Sequence, residues 1–361
     1  MTSYNQFPFY AKFALIVVTL IGLVAICFYG QGILSPILLS LLFAILLRPV
    51  SAFLTNKLHL PNVLASLLAV ILFVLFFAAI FYFISMQLST MADDWDKIKS
   101  NLVMHQNNLQ SYINETFSIT KSEQDKMVTK ATSGSMEGGK AIMGSTLVSF
   151  TDSLMNLILI PIYMFLILLY RTHFIKFLCK LFDRQYHSKL QDILTTIKTA
   201  VQSYIVGLLF EMVIVSVLTA VGLMIIGVKY AILLGVITGL LNLIPYIGIV
   251  IAGVLTVIAS LTGTSDLTII IGILVVNIIV QIIDNNILVP IVVSSKVEIN
   301  SIASIVGIII GGAIAGISGM FLAIPIMAIL KVIFDRIESL EPWGYLLGDD
   351  LPKSFTWKKK Q

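Results

Sequence analysis

Three clusters of polar groups interrupt otherwise apolar stretches of this sequence, and they are where chemistry could be done. The first is Gln281-Ile-Ile-Asp284-Asn285-Asn286, inside an apolar run over 267–293. On a helix, Gln281, Asp284 and Asn285 share a face through the i, i+3, i+4 relation, and Leu288 completes it. A carboxylate at membrane depth is costly unless it is paired, protonated or wetted. Three oxygen-bearing side chains on one face could hold a cation or a polar solute, or relay a proton. The same pattern also suits a polar seam joining helices, or the start of an outer vestibule. The second is Glu211, about two helical turns into the run 205–226. It fits proton coupling, or pairing with a basic residue at the interface.

The third is Asn242-Leu-Ile-Pro245-Tyr-Ile-Gly248, near the middle of a run over 228–260 that is longer than one span needs. Proline removes a backbone donor and clashes one turn back, which predicts a freed carbonyl at Leu241; glycine permits non-helical torsions. Free carbonyls at membrane depth persist only where protein or a polar cavity satisfies them, and transporters build sites from such half-helix ends. A plain proline kink tolerated by neighbouring helices is the alternative.

Other patterns lead nowhere chemically. Gly134-Ser-Met-Glu-Gly-Gly139-Lys140-Ala141 is one residue from a phosphate-binding loop, but Ala141 stands where a Ser or Thr must hold magnesium, and no buried strand precedes it. The histidines (His59, His105, His173, His187) lack metal spacing, and Cys27 and Cys179 are far apart, with Cys27 in an apolar run. No nucleophile or paired-carboxylate motif emerges. The expectation is a protein that is not an enzyme, with no cofactor, no metal and no nucleic-acid partner.

The elements that must position these residues follow from composition. The chain is 58% hydrophobic and 12% charged, where a soluble domain is about a quarter charged. Its apolar residues fall in runs near 13–30, 33–47, 62–85, 154–170, 205–226, 228–260, 267–293 and 301–334. Runs of this length read as spanning helices, and they lack the alternation of barrel strands. The fold class is all-α: a polytopic integral membrane protein of about eight transmembrane helices. The first run reads as an uncleaved helix; the second is short, and spans fully or forms half a hairpin.

Segments follow from the same runs: helices 1–3 over 1–85, an extracytoplasmic helical insertion over 86–153, and helix 4 over 154–173. Amphipathic interfacial helices occupy 174–204, a transport core of helices 5–8 occupies 205–334, and a tail covers 335–361. In the insertion, Met91, Trp95, Ile98, Leu102, His105, Leu109 and Tyr112 form a heptad-like stripe, Thr120-Lys-Ser-Glu123 a capping box, and 133–139 a flexible linker. That insertion suits a substrate-gathering cap or an assembly hairpin, and, if its helices bind a partner, the chain could instead be a non-transporting oligomeric membrane scaffold. In 174–204, apolar positions on one face and basic ones on the other, with a break near Asp183, predict helices along the membrane surface.

Basic residues set the orientation. Lys12, Arg48, Lys57, the six between Arg171 and Lys198, and the six from Lys331 to Lys360 fall on one side, leaving only Lys229 and Lys296 in short loops on the other. By the positive-inside rule both termini are cytoplasmic.

The last run is dense in glycine. Gly312 and Gly316 form a GxxxG for close packing, with Gly307, Gly311 and Gly319 nearby, and Ala323-Ile-Pro325 follows. The density also predicts a break near Gly316–Gly319, giving two half-spans.

Taken together, Tyr204-Ile-Val-Gly207, Pro245-Tyr-Ile-Gly248, Gln281-Ile-Ile-Asp-Asn285 with Pro290, and Gly316-Ile-Ser-Gly319 through Pro325 resemble the autoinducer-2 exporter family. Order, spacing and the insertion between spans three and four agree over nearly the whole chain. The resemblance implies a bacterial inner-membrane permease, homo-oligomeric and pentameric, embedded in membrane lipid. Some members are similar to exporters of a quorum-sensing furanone, others to sodium- or lithium-proton antiporters in which the proline-glycine motif is implicated. One departure stands out: members often carry an amide where Glu211 lies, and a carboxylate there favours cation or proton coupling over passive export.

Overall fold

A computed structural model describes residues 8–92, 100, 104, 111, 158–244, 247–260, 267–293 and 299–349. Among them there are helices and no strand: α1 (Phe9–Tyr29), α2 (Gln31–Lys57), α3 (Asn62–Ala92), α4 (Ile158–Leu181), α5 (His187–Ile225), α6 (Ala231–Asn242), α7 (Ile247–Ser260), α8 (Leu267–Ile283), α9 (Ser301–Phe334) and α10 (Glu341–Leu347). A π-helical stretch, Asp284–Val293, prolongs α8. Seven helices among the described residues are long and apolar enough to cross a membrane. The protein is an all-α polytopic membrane protein.

The chain divides into two compact units. Unit 1 comprises 1–66, 162–205 and 295–361; unit 2 comprises 67–161 and 206–294.

In unit 1, α1, α2 and α9 pack together. α2 is continuous through Pro36 and Pro49, so the short second run is part of a 27-residue helix. Small polar residues let α2 meet the start of α3: Ser51 Oγ lies 3.5 Å from Ser66 Oγ, and both are buried.

α9 is a hairpin. Ala315 and Gly316 leave the helical region, Gly316 at φ +57° and ψ −139°, torsions open to glycine alone at little cost. Beyond them the chain folds back. Gly311 abuts the Gly319 carbonyl, Gly319 abuts the Gly311 carbonyl, and Gly307 meets Met327. A Cβ at Gly311 or Gly319 would overlap the other's backbone. The expected break is present; within it Gly312 faces the Met320 side chain, and Gly316 is the turn. Close approach belongs to Gly311 and Gly319, eight positions apart, because the pairing is across a hairpin rather than along a helix face. Pro325 is buried in the returning arm without breaking it.

Both ends of the hairpin lie at one end of the unit. The Asn300 backbone N–H donates to Leu347 O at 2.9 Å, and its Nδ2 donates to Leu346 O at 2.7 Å and Gly348 O at 3.0 Å. Its Oδ1 accepts from Ala303 N at 2.8 Å, capping α9. α10, a short helix in what reads as the tail, thus clasps the start of α9.

The amphipathic stretch is helical on both sides of its break. Its break falls at Phe182–Asp183, but α4 runs on to Leu181, and 187–204 continues into span five as one 39-residue helix. No proline separates the two halves, so the helix runs on without a break between them. Arg336 donates to Asp192 Oδ2 at 2.6 Å and to Thr196 Oγ1 at 3.0 Å on this stretch. In unit 2, α3 continues to Ala92, past the expected start of the insertion. Most of the heptad stripe, the capping box and the 133–141 glycine segment lie outside the described residues.

Candidate functional site

Unit 2 is built on α5, α6, α7 and α8. α6 and α7 have 12 and 14 residues, about 18 and 21 Å, each short of the roughly 30 Å hydrocarbon core. They form a second hairpin. Val257, late in α7, packs in the same cluster as Ala231 and Leu234, early in α6, together with Leu223, Tyr230 and Ile273. At the turn, Gly248 sits directly on the Leu241 carbonyl, an approach that any Cβ would block.

Pro245 and Tyr246 lie outside the described residues. Pro245 in the sequence nevertheless explains why α6 stops at Asn242, since helices end before the residue preceding proline. The Leu241 carbonyl, expected to be free, accepts from Ile244 N at 2.9 Å. A tight turn closes it, so the polar feature of this break is the Asn242 side chain rather than bare backbone.

α5 and α8 run antiparallel in unit 2. Val215 and Val280 share a cluster, Gly222 lies flat against Val276, and Gly272 lies beside Ile226. This register brings Glu211 level with Asp284, and the end of α6 delivers Asn242 to both. Asn242 Nδ2 donates to Glu211 Oε1 at 2.8 Å and to Asp284 Oδ2 at 3.5 Å. Glu211 and Asp284 thus converge on the same amide nitrogen from two helices. All three side chains are buried, at 5%, 7% and 3% exposure for Glu211, Asn242 and Asp284.

Two charged carboxylates that converge on one amide repel each other, and burial away from water adds to the cost. Like charges about 4 Å apart repel by about 4 kcal/mol at an effective dielectric of about 20. A hydrogen bond to a charged group returns about 1.5–3 kcal/mol. A proton shared between the carboxyls, or a cation among them, removes the conflict. Among the described residues, Glu211 Oε2, Asp284 Oδ1 and Gln281 Oε1 are buried without a hydrogen-bond partner, so acceptor oxygens remain for such a guest. No three His, Cys, Asp or Glu side chains converge among the described residues. The donor set is carboxyl and amide oxygen, which suits a proton or a hard cation rather than a thiophilic metal.

The singled-out residues therefore separate. Glu211, Asn242 and Asp284 meet in one cluster, Gly248 shapes its hairpin, and Gln281 lies one turn along α8. Asn285 does not join them, because the buried line of this helix passes through Val280, Asp284 and Leu288, and Asn285 is exposed one step round. Pro290 is exposed within the π-helical stretch. It cannot donate to a helical ladder, and Asn286 Nδ2 satisfies the Ile282 carbonyl at 2.8 Å where the wider turns begin. Gly311, Gly312, Gly316, Gly319 and Pro325 belong to the hairpin of unit 1. Two polar atoms that are buried without a partner went unnoticed in the sequence, Thr219 Oγ1 and Asn277 Nδ2. Both sit in long apolar runs, and that contrast was the available signal.

Known proteins bear on this architecture. A family model described as AI-2E family transporter matches residues 13–339. YrrI of Bacillus subtilis, a candidate transport protein, is 26% identical over 312 residues, covering 84% of this chain and 86% of its own. YueF of the same organism, also a candidate transport protein, is 28% identical over 190 residues, 53% of this chain and 51% of its own. PerM of Escherichia coli K12, a candidate permease, is 24% identical over 189 residues, 52% and 53%. With its helices, its broken spans and a match over most of its length, this chain belongs to the AI-2E transporter family.

Proposed function

We propose that this membrane transport protein is an ion-coupled secondary transporter, and that Glu211, Asn242 and Asp284 hold the coupling ion, a proton or a monovalent cation. One observation carries the reading: two buried carboxyl groups from α5 and α8 meet on a single amide at the break between α6 and α7. Such an arrangement is costly in a membrane and is found where ions or protons pass. Changing the occupant between proton and cation changes the charge of the cluster, the elementary event of antiport. The test is cation-driven proton movement in proteoliposomes, compared between wild type and Asp284→Asn. Loss of the response supports the assignment, and an unchanged response refutes it.

A second reading is passive export of a small polar solute, such as the furanone to which the family resemblance points. It is favoured by Asn242 and Gln281, which offer neutral hydrogen bonds to an uncharged guest. Here Asp284→Asn would leave flux intact.

The setting we infer is a bacterial inner membrane with both termini cytoplasmic. In this topology α1 to α5 and α8 cross, while the α6–α7 and α9 hairpins return to the side they entered. Residues 294–300 then share the cytoplasmic side with the tail, so Lys296 joins the basic inner segments and Lys229 alone remains in the short outer loops, in line with the positive-inside rule. α1 buries none of its residues, leaving an apolar surface for lipid or neighbouring copies in a homo-oligomer, pentameric by family resemblance.

A further inference from the structure

We propose that Thr219, Asn277 and Gln281 form a polar file between α5, α6 and α8 along which the coupling ion moves to and from the cluster. This rests on the reading of Glu211, Asn242 and Asp284 as the ion site. The first observation is register. Asn277, Gln281 and Asp284 fall at i, i+4 and i+7 on α8, one face of a helix. Asn277 faces the hairpin, its Nδ2 lying 3.9 Å from where a Cβ of Gly253 would stand. On α5, Val215 and Gly222 pack on α8, while Ser216 and Ala220 pack on Gly235 of α6. Thr219 lies between these two faces, in the groove where α5, α6 and α8 converge. The antiparallel pairing of Val215 with Val280 and Gly222 with Val276 sets Thr219 level with Asn277.

The second observation is satisfaction. Three other serine and threonine hydroxyls of this unit fold back onto their own helix: Ser216 onto Met212 O at 2.7 Å, Thr238 onto Leu234 O at 2.7 Å, and Thr256 onto Ala252 O at 2.6 Å. Thr219 does not, although it is fully buried. Among the described residues, Thr219 Oγ1, Asn277 Nδ2 and Gln281 Oε1 are all buried without a partner. Buried polar groups in native proteins are normally paired, and each exception asks for a reason. Three exceptions in one file, ending at a carboxyl pair, have a common reason if they meet a passing ion and its waters. Thr219 lies eight residues from Glu211 and Asn277 seven from Asp284, so the file extends about 10–12 Å at 1.5 Å per residue. A polar seam made only for helix packing would have closed these groups on one another.

The experiment uses full-length protein in proteoliposomes, with Cys27→Ser and Cys179→Ser removing the native thiols. Thr219→Cys and Asn277→Cys are then exposed to aminoethyl methanethiosulfonate, a small cationic reagent, and modification is read by mass. Thr195→Cys, at an exposed position, serves as the reactive standard. We expect both path cysteines to react within about tenfold of the standard, and Thr219→Val, but not Thr219→Ser, to slow cation-driven proton movement at least tenfold. If neither cysteine reacts while Thr195→Cys does, the seam is sealed and the path is overturned. Should both react while Asp284→Asn transports as wild type, the coupling reading fails, and the path loses its destination with it. Labelling is independent of flux, so the two failures are distinguishable.

Discussion

Asn242 and Glu211, 31 residues apart in sequence, are joined by a 2.8 Å hydrogen bond at the point where α6 ends. The bond runs from an amide that terminates a half-helix to a carboxyl group in the middle of a long one. Asp284 completes the cluster from a third helix at 3.5 Å from the same nitrogen.

Replacing Asn242 by Ala removes the donor and leaves both carboxyl groups buried with less compensation. An unsatisfied buried partner costs about 1–3 kcal/mol, and more where it is charged. Asn242→Ala should therefore lower the thermal midpoint in detergent and abolish coupled flux. Wild-type values for both measurements would show that the amide does not bind the cluster together.

Glu211→Gln separates stability from coupling. A glutamine oxygen can still accept from Asn242 Nδ2, and the repulsion with Asp284 disappears. The variant should be at least as thermostable as wild type and lose cation-driven proton movement. Retained coupling would leave Asp284 as the sole titrating group.

How much of this was legible in the sequence depends on the range of the interaction. Glu211, Asn242 and Asp284 each stand out alone, because a polar residue in an apolar run has few inexpensive explanations. Their meeting was not legible, since it depends on the antiparallel register of α5 and α8 and on a hairpin that returns Asn242 to them. The breaks were legible from Pro245 and Gly316. That each break makes a hairpin was not, because a 34-residue apolar run reads the same whether it crosses or folds back. Gly311 and Gly319 carry that information only once their partner backbones are known.

The α9 hairpin gives a prediction of its own. Gly316→Ala forces a side chain into torsions that cost about 1–3 kcal/mol. Gly319→Val adds a collision with the Gly311 carbonyl. Thermal unfolding should show a moderate loss for the first and a larger loss for the second. Equal, negligible effects would rule out the folded-back arms.

Asn300 and Arg336 offer a contrast at the same end of unit 1. Asn300→Ala deletes a helix cap and two further bonds, and caps are worth about 0.5–2 kcal/mol. Hydrogen exchange at 299–303 and 346–348 should accelerate together. Arg336→Ala breaks a 2.6 Å ion pair whose partners are 29% and 61% exposed. Exposed pairs contribute about 0–1 kcal/mol, so its midpoint should barely move.

The cluster as a coupling-ion site is tested most directly by one measurement. Proteoliposomes containing a trapped pH dye are pulsed with sodium, lithium or potassium, and wild type is compared with Asp284→Asn. The expected result is a pH change driven by at least one cation in wild type and absent in the variant. An equal pH change in both, from equally folded protein, would contradict the assignment.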